Sequence, residues 1–200
     1  RLAEHLVATG YDHKDLVRLL TKTQLYQRSL VSAAESEHPL AQGKVKKLRG
    51  DEIFDSLVTA IALPNVKPEQ EKASGAVRFP VPPKSTRDLV NEAFGYDPSL
   101  KDELLVRTMK QAMFMMNNEQ LQKQVNANPE SETFLAALLA DEADNKQAAV
   151  KLYQAVLARS PSDRELDIVM AHVNQIGQRG PAFEDVLWSL INSAEFTTRR

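Results

Sequence analysis

The chain has 200 residues, 42% of them apolar and 26% charged, with 25 Lys and Arg against 27 Asp and Glu. That size and hydrophobicity suit a folded domain with its own core and exclude the low-hydrophobicity, high-charge composition of disordered chains. The near-neutral balance argues against nucleic acid or an anionic membrane as partner, and the absence of cysteine excludes disulfides, thiolate metal sites and thioether-linked haem.

The first residues read as the end of a helix closed by Gly10, and because the chain opens on Arg1 we expect a fragment of a larger protein. Asp12 is a predicted N-cap for a helix with Leu16, Leu19, Leu20, Tyr26 and Leu30 on one face. Residues 32–50 are polar and mixed. Asp51 then caps a second helix whose buried stripe is Ile53, Leu57 and Ile61, ended before Pro64. Five of the ten prolines fall between Pro64 and Pro83, which predicts a long connecting loop, extended over residues 76–81 where ordered. A helix over residues 86–94 follows. After a Gly95–Pro98 turn comes a long helix capped by Ser99, with Leu104, Leu105, Thr108, Ala112, Met115 and Met116 on one side and a break at Asn117 and Asn118.

A polar helix over 119–127 leads to a short one opened by Ser131, carrying Phe134, Leu135, Leu138 and Leu139. Residues 145–159 place Ala149, Leu152, Tyr153 and Val156 at helical offsets and stop at Pro161. Ser162 to Glu165 is a capping box for a helix with Leu166, Val169, Met170 and Val173 inside, ended near Gly177. Pro181 begins a last helix with Phe183, Val186, Leu187, Leu190 and Ile191 inside. The longest apolar stretch, residues 134–140, is far below the roughly 20 residues of a membrane span. The expected fold is all-α, an orthogonal or antiparallel multi-helix bundle with one long proline-containing loop. We expect a single domain over 1–200, with 1–63 and 84–200 as two lobes where loop 64–83 acts as a hinge.

No residue set has the spacing that a known chemistry requires. His5, His13, His38 and His172 never pair at i, i+4 for a metal. The acidic groups Asp51/Glu52/Asp55, Asp141/Glu142/Asp144 and Glu184/Asp185 sit at helix N-termini, where capping and the helix dipole account for them. There is no Gly-x-Ser-x-Gly elbow and no phosphate loop. Met109, Met113, Met115 and Met116 read as core, and Lys44, Lys46, Lys47 and Arg49 as a solvated segment before a helix. Trp188 lies off the main stripe of its helix, either packed on a neighbour or offered as an anchor.

Several stretches carry a family resemblance: residues 8–29, 48–63, 94–99 and 111–118, and Leu152-Tyr153 through Ser160-Pro161-Ser162 to the closing Leu187-Trp188-Ser189-Leu190-Ile191-Asn192-Ser193-Ala194-Glu195-Phe196. In that order they resemble a C-terminal domain of unknown function typical of large planctomycete multi-domain proteins, which often carry cytochrome c-like modules. Residues 100–110 depart from its Thr-rich lead-in. The resemblance implies a multi-domain parent exported to the periplasm or cell envelope, and it transfers no catalytic residue, metal ligand or cofactor.

The reading that follows is a non-catalytic helical scaffold or interaction domain, docking to sibling modules of its parent or to a partner protein. The alternative is a polysaccharide- or other ligand-binding domain, or an enzyme, whose site is assembled from helix ends. The residues singled out for interaction are Tyr26, Arg28, Arg49, Asp51, Asn117, Asn118 and Trp188. No cofactor and no membrane span are expected.

Overall fold

The computed structural model describes residues 1–27, 46–66, 84–95 and 108–199, and among them the chain is almost entirely helical. It divides into two compact units, residues 1–45 and residues 46–199. The smaller unit holds α1 (Leu2–Ala8), α2 (His13–Thr21) and α3 (Gln24–Gln27). Asp12 caps α2 as expected, its carboxylate accepting from the Lys14 and Asp15 N–H groups. Gly10 and Tyr11 turn the chain with φ of 65° and 64°. The single predicted helix through Tyr26 is divided instead, because Thr23 starts a new cap for α3 with its hydroxyl accepting from Tyr26 N–H.

The larger unit contains β1 (Lys46–Lys47), α4 (Gly50–Ile61), α5 (Thr86–Phe94), α6 (Met109–Asn117), α7 (Glu119–Val125), α8 (Phe134–Asp141), α9 (Asn145–Leu157), α10 (Asp163–Ile176), α11 (Arg179–Ile191), α12 (Ala194–Thr197) and β2 (Thr198–Arg199). Its core is one cluster. Ile53, Leu57 and Ile61 of α4 meet Val90 of α5, Leu152 of α9, and Phe183, Leu187 and Ile191 of α11, all essentially inaccessible to solvent. These positions match the apolar stripes of the sequence, which is why burial drives the helices together along those faces. α9 and α11 are the hubs: α9 packs on α4, α8, α10, α11 and α12, and α11 also touches α7, α8 and α10.

Several helix starts differ from expectation. Asp51 lies in the first turn of α4, and Arg49 is the N-cap residue, its N–H donating to Glu52 Oε2 at 2.8 Å. Thr108, expected inside a long helix, is extended and caps α6, so no helix runs unbroken from Ser99; residues 96–107 lie outside the described residues. Thr133 caps α8 rather than Ser131, whose hydroxyl donates to the Asn128 carbonyl in a turn. Met109, Met113 and Met116 are exposed, not core, and of the four predicted core methionines only Met115 is buried. α12 and the two-residue antiparallel pair β1–β2, Lys46 opposite Arg199 and Lys47 opposite Thr198, have no counterpart in the sequence reading.

Residues 67–83 of the proline-bearing loop also lie outside the described residues. Its two ends meet: Thr86 N–H donates to the Val66 carbonyl at 3.0 Å, and Arg87 N–H to Asn65 Oδ1 at 3.2 Å. Arg87 then stacks its guanidinium 4.4 Å from the centre of the Phe54 ring and pairs with Asp55, fastening α5 to α4.

That crossing is close because of Gly50. A Cβ at Gly50 would lie 2.7 Å from Asn91 Cα and 2.9 Å from Asn91 Oδ1, an oxygen that is itself buried without a hydrogen-bond partner among the described residues. Arg159 makes a second tie. Its guanidinium donates Nη1 and Nη2 to Glu165 at 2.9 and 2.7 Å, and Nε and Nη2 to Glu195 at 2.7 and 2.8 Å, joining the α9–α10 turn to α12. These bonds, with those from Ser162, hold the Glu165 carboxyl down at about 2, against an ordinary value of 4.5. Arg179 makes a third, reaching from α11 to Asn145 Oδ1 and the Leu139 carbonyl, both at 2.8 Å, and to the Glu142 carbonyl.

Gly50→Ala should lower unfolding free energy by about 1–3 kcal/mol in urea, because the contact is with backbone that cannot rotate away. Arg159→Met should cost on the order of 1–2 kcal/mol at pH 7, since half-exposed charge-assisted bonds are screened. The Glu165 carboxyl is depressed in the fold, so its contribution is complete above about pH 4.5 and is lost as pH falls towards 2. The gap between parent and Arg159→Met in urea midpoint should therefore close across that window.

Candidate functional site

The residues singled out in the sequence take up separate places. Tyr26 is exposed on α3 in the smaller unit, and Arg28 lies outside the described residues. Arg49 and Asp51 form a two-point ion pair at the start of α4, Nε to Oδ1 at 3.0 Å and Nη2 to Oδ2 at 2.6 Å, which holds the Asp51 carboxyl below its usual range. Asn117 ends α6 in solvent, and Asn118 caps α7, its Oδ1 accepting from Leu121 N–H at 3.0 Å. Trp188 is half-buried against the core.

The acidic groups fall into structural pairings. Lys84 and Lys110 both bind Glu92 and lower its carboxyl. Lys151 binds Glu142 at 2.8 Å, lowering the acid and raising the amine. Asp144 caps α9, and Glu184 accepts from Ala127 N–H at 2.6 Å. Among the described residues, no three His, Cys, Asp or Glu side chains stand close enough to hold a metal ion.

Among the described residues of the larger unit, two concavities stand out. One, of about 400 Å³, runs between α10 and α11, with the His172–Asp185 pair (Nε2 to Oδ2, 3.0 Å) and Trp188 on its walls. Tyr153 closes it from α9, its phenol pushed up by burial and by the nearby Glu165 carboxylate.

The second, of about 280 Å³, is assembled from segments far apart in sequence. Leu48, Ile53 and Phe94 give it apolar walls, while Lys47, Gln111 and Thr198 bring polar groups. Lys47 sits in β1, half-buried, and burial pulls its amine below the ordinary lysine value. It is no solvated pre-helix lysine, because pairing with Thr198 turns its strand onto the core. Gln111 is only 7% exposed. Its Oε1 accepts from Thr108 N–H at 3.1 Å as half of a capping box. The Thr108-x-x-Gln111 spacing announces the cap in the sequence, but nothing there announces that Gln111 is buried in a cavity.

The smaller unit presents a different surface. None of the residues of α1–α3 is buried, and Leu2, Val7, Tyr11, Val17, Leu19, Leu20, Leu25 and Tyr26 are all exposed. Eight large exposed apolar side chains in 27 residues equal the number found across the whole described part of the larger unit. α2 is amphipathic, with His13, Lys14 and Arg18 among its polar residues. His5 of α1 bonds Asp15 of α2 at 2.7 Å and fixes the two helices together.

No helix among the described residues is long and apolar enough to cross a membrane. No curated protein and no solved structure matches the chain. A family model described as PSD1, protein of unknown function (DUF1553), matches residues 1–173, and the chain belongs to that family.

Proposed function

We propose that this member of the PSD1 family is a helical interaction domain, in which the unit of residues 46–199 is a stable body and the helices of residues 1–27 dock onto another protein surface. The observation that supports this reading is the row of exposed apolar side chains on α1–α3, above all Val17, Leu20, Leu25 and Tyr26, which are 57%, 39%, 58% and 69% exposed. Isolated exposed apolar residues are ordinary, but this density on short helices that bury nothing of their own is the pattern of a partner-binding face. The cost of leaving such a face in water is recovered only when something covers it.

The resemblance to planctomycete multi-domain proteins supports a sibling module of the same polypeptide, or a partner protein of the bacterial envelope, as what lies opposite. Charged groups in the larger unit support the non-catalytic part of the reading, since Glu92, Glu142 and Glu165 owe their shifts to ion pairs that join neighbouring elements, and Asp51 to one with the cap of its own helix. A polysaccharide reading draws on the groove beside Trp188, where an aromatic ring and the Asp185 carboxylate adjoin.

The test is a photo-reactive residue placed at Tyr26 in the cells that make the protein, with Lys146, exposed on α9, as the control position. Tyr26 should give a discrete protein adduct that Lys146 does not. Val17→Asp with Leu20→Asp should cut its yield at least about tenfold, while the unfolding free energy of the larger unit changes by less than about 0.5 kcal/mol. Equal labelling at both positions would overturn the reading. So would calorimetric binding of a polysaccharide without a protein adduct, which would move attention to the Trp188 groove.

A further inference from the structure

The exposed face of α1–α3 carries charge as well as hydrocarbon. Lys14, Arg18 and Lys22 are all exposed and follow one another at four-residue intervals, so they form a row along α2, with Val17 three residues from Lys14 at its side. Among the described residues, none of the three side chains has an ion-pair or hydrogen-bond partner. The carboxylates closest in sequence are engaged elsewhere: Asp12 caps α2 through the Lys14 and Asp15 N–H groups, and Asp15 holds His5 of α1 at 2.7 Å.

The helix gains little from this row. Cations four residues apart repel each other. The helix dipole favours Arg18 in the last turn and Lys22 at the C-cap, but it opposes Lys14 in the first turn. Carboxylates brought by another surface would relieve the repulsion and would be drawn to all three cations. Lipid headgroups match less well. A membrane responds to charge summed over about a Debye length, roughly 8–10 Å, and residues 1–27 hold four Lys and Arg against three Asp and Glu. A protein surface can set acids opposite individual cations and leave Asp12 and Asp15 with the partners they have.

Given the docking role proposed for α1–α3, we infer that the protein surface covering it is an apolar groove with an acidic rim. The groove takes Val17 and Leu20. The rim lies on one side of it, its carboxylates spread over the length of the Lys14–Lys22 row, about 12 Å of helix.

The test uses the chain with a photo-reactive residue at Tyr26 in the cells that make it, with the partner side of the adduct digested and sequenced. Lys14→Glu with Arg18→Glu should cut the adduct at least about tenfold, and the cross-linked partner peptide should hold Asp or Glu beside its apolar residues. Lys146→Glu with Arg164→Glu makes the same charge change at exposed positions of α9 and α10 and should leave the yield within about twofold. Lys14→Glu alone puts a carboxylate where the dipole of α2 favours one, so the helix survives, and a loss of at least about threefold is expected. An adduct abolished by Val17→Asp with Leu20→Asp but untouched by the charge reversals would remove the acidic rim and keep the docking role. Equal labelling at Tyr26 and Lys146 would remove both. A partner peptide without acids would overturn the inference. So would sedimentation of the purified 200-residue chain with vesicles of phosphatidylcholine and phosphatidylglycerol in place of a protein adduct.

Discussion

The larger unit depends on one guanidinium. Arg159 stands just past the end of α9, after Ala158 takes a left-handed turn with φ of 54°, and grips two carboxylates from different directions. Glu165 belongs to the first turn of α10 and Glu195 to α12, so a single planar group ties both helices to the end of α9. The position of α12 then determines where Thr197 and Thr198 lie. Leu48 N–H donates to the Thr197 carbonyl at 3.0 Å, and Lys47 pairs with Thr198. From there the order passes to Arg49 and the start of α4, and so to the α4–α5 crossing at Gly50. The wall of the cavity at Lys47 is downstream of that clamp.

The hydrophobic and electrostatic layers have distinct tasks. Burial of Phe54, Leu57, Leu152, Phe183 and Leu187 supplies the drive to collapse, but it is indifferent to small slips of one helix along another. Directional groups remove that freedom: Arg159 between α9, α10 and α12, Arg179 between α11 and the α8–α9 turn, and Arg87 between α5 and α4. In each case the cation lies over an aromatic ring of the core, Tyr153, Phe183 or Phe54. The smaller unit has no comparable arrangement among its described residues, and its helices are tied by the His5–Asp15 bond and local caps.

What could be read from the sequence was whatever acts over a few residues. The all-α class, the stripes of α4, α9, α10 and α11, the caps at Asp12 and Ser162 and the break at Asn118 follow from periodicity and capping chemistry. Errors arose where two local signals competed. Ser131 and Thr133 are both plausible caps, and the Asn128 turn takes the first. Thr108 fits an apolar face and a cap equally well, and the cap prevails because Gln111 completes it. The methionine run was misread because its residues share a helical pattern whose outer side meets no neighbour among the described residues. The cavity was beyond reach for another reason: Lys47, Phe94, Gln111 and Thr198 are joined by contacts spanning most of the chain, and no spacing rule operates at that separation. Membership of the family rests on similarity over residues 1–173, which carries no chemistry.

The β1–β2 pair is small, yet it places the first and last residues of the larger unit side by side, Lys46 against Arg199. Neighbouring strands are about 5 Å apart, so the polypeptide enters and leaves this body at nearly one point. A pull applied across those two ends would load the antiparallel pair end-on, opening its bonds one after another rather than all together. The first structure to yield would be the pair and the α12 tether behind it, at low force, while α4, α9 and α11 stayed packed. Mechanically, the unit hangs from its polypeptide like a bead from a slip knot, with the cavity wall at Lys47 as the first part to feel tension.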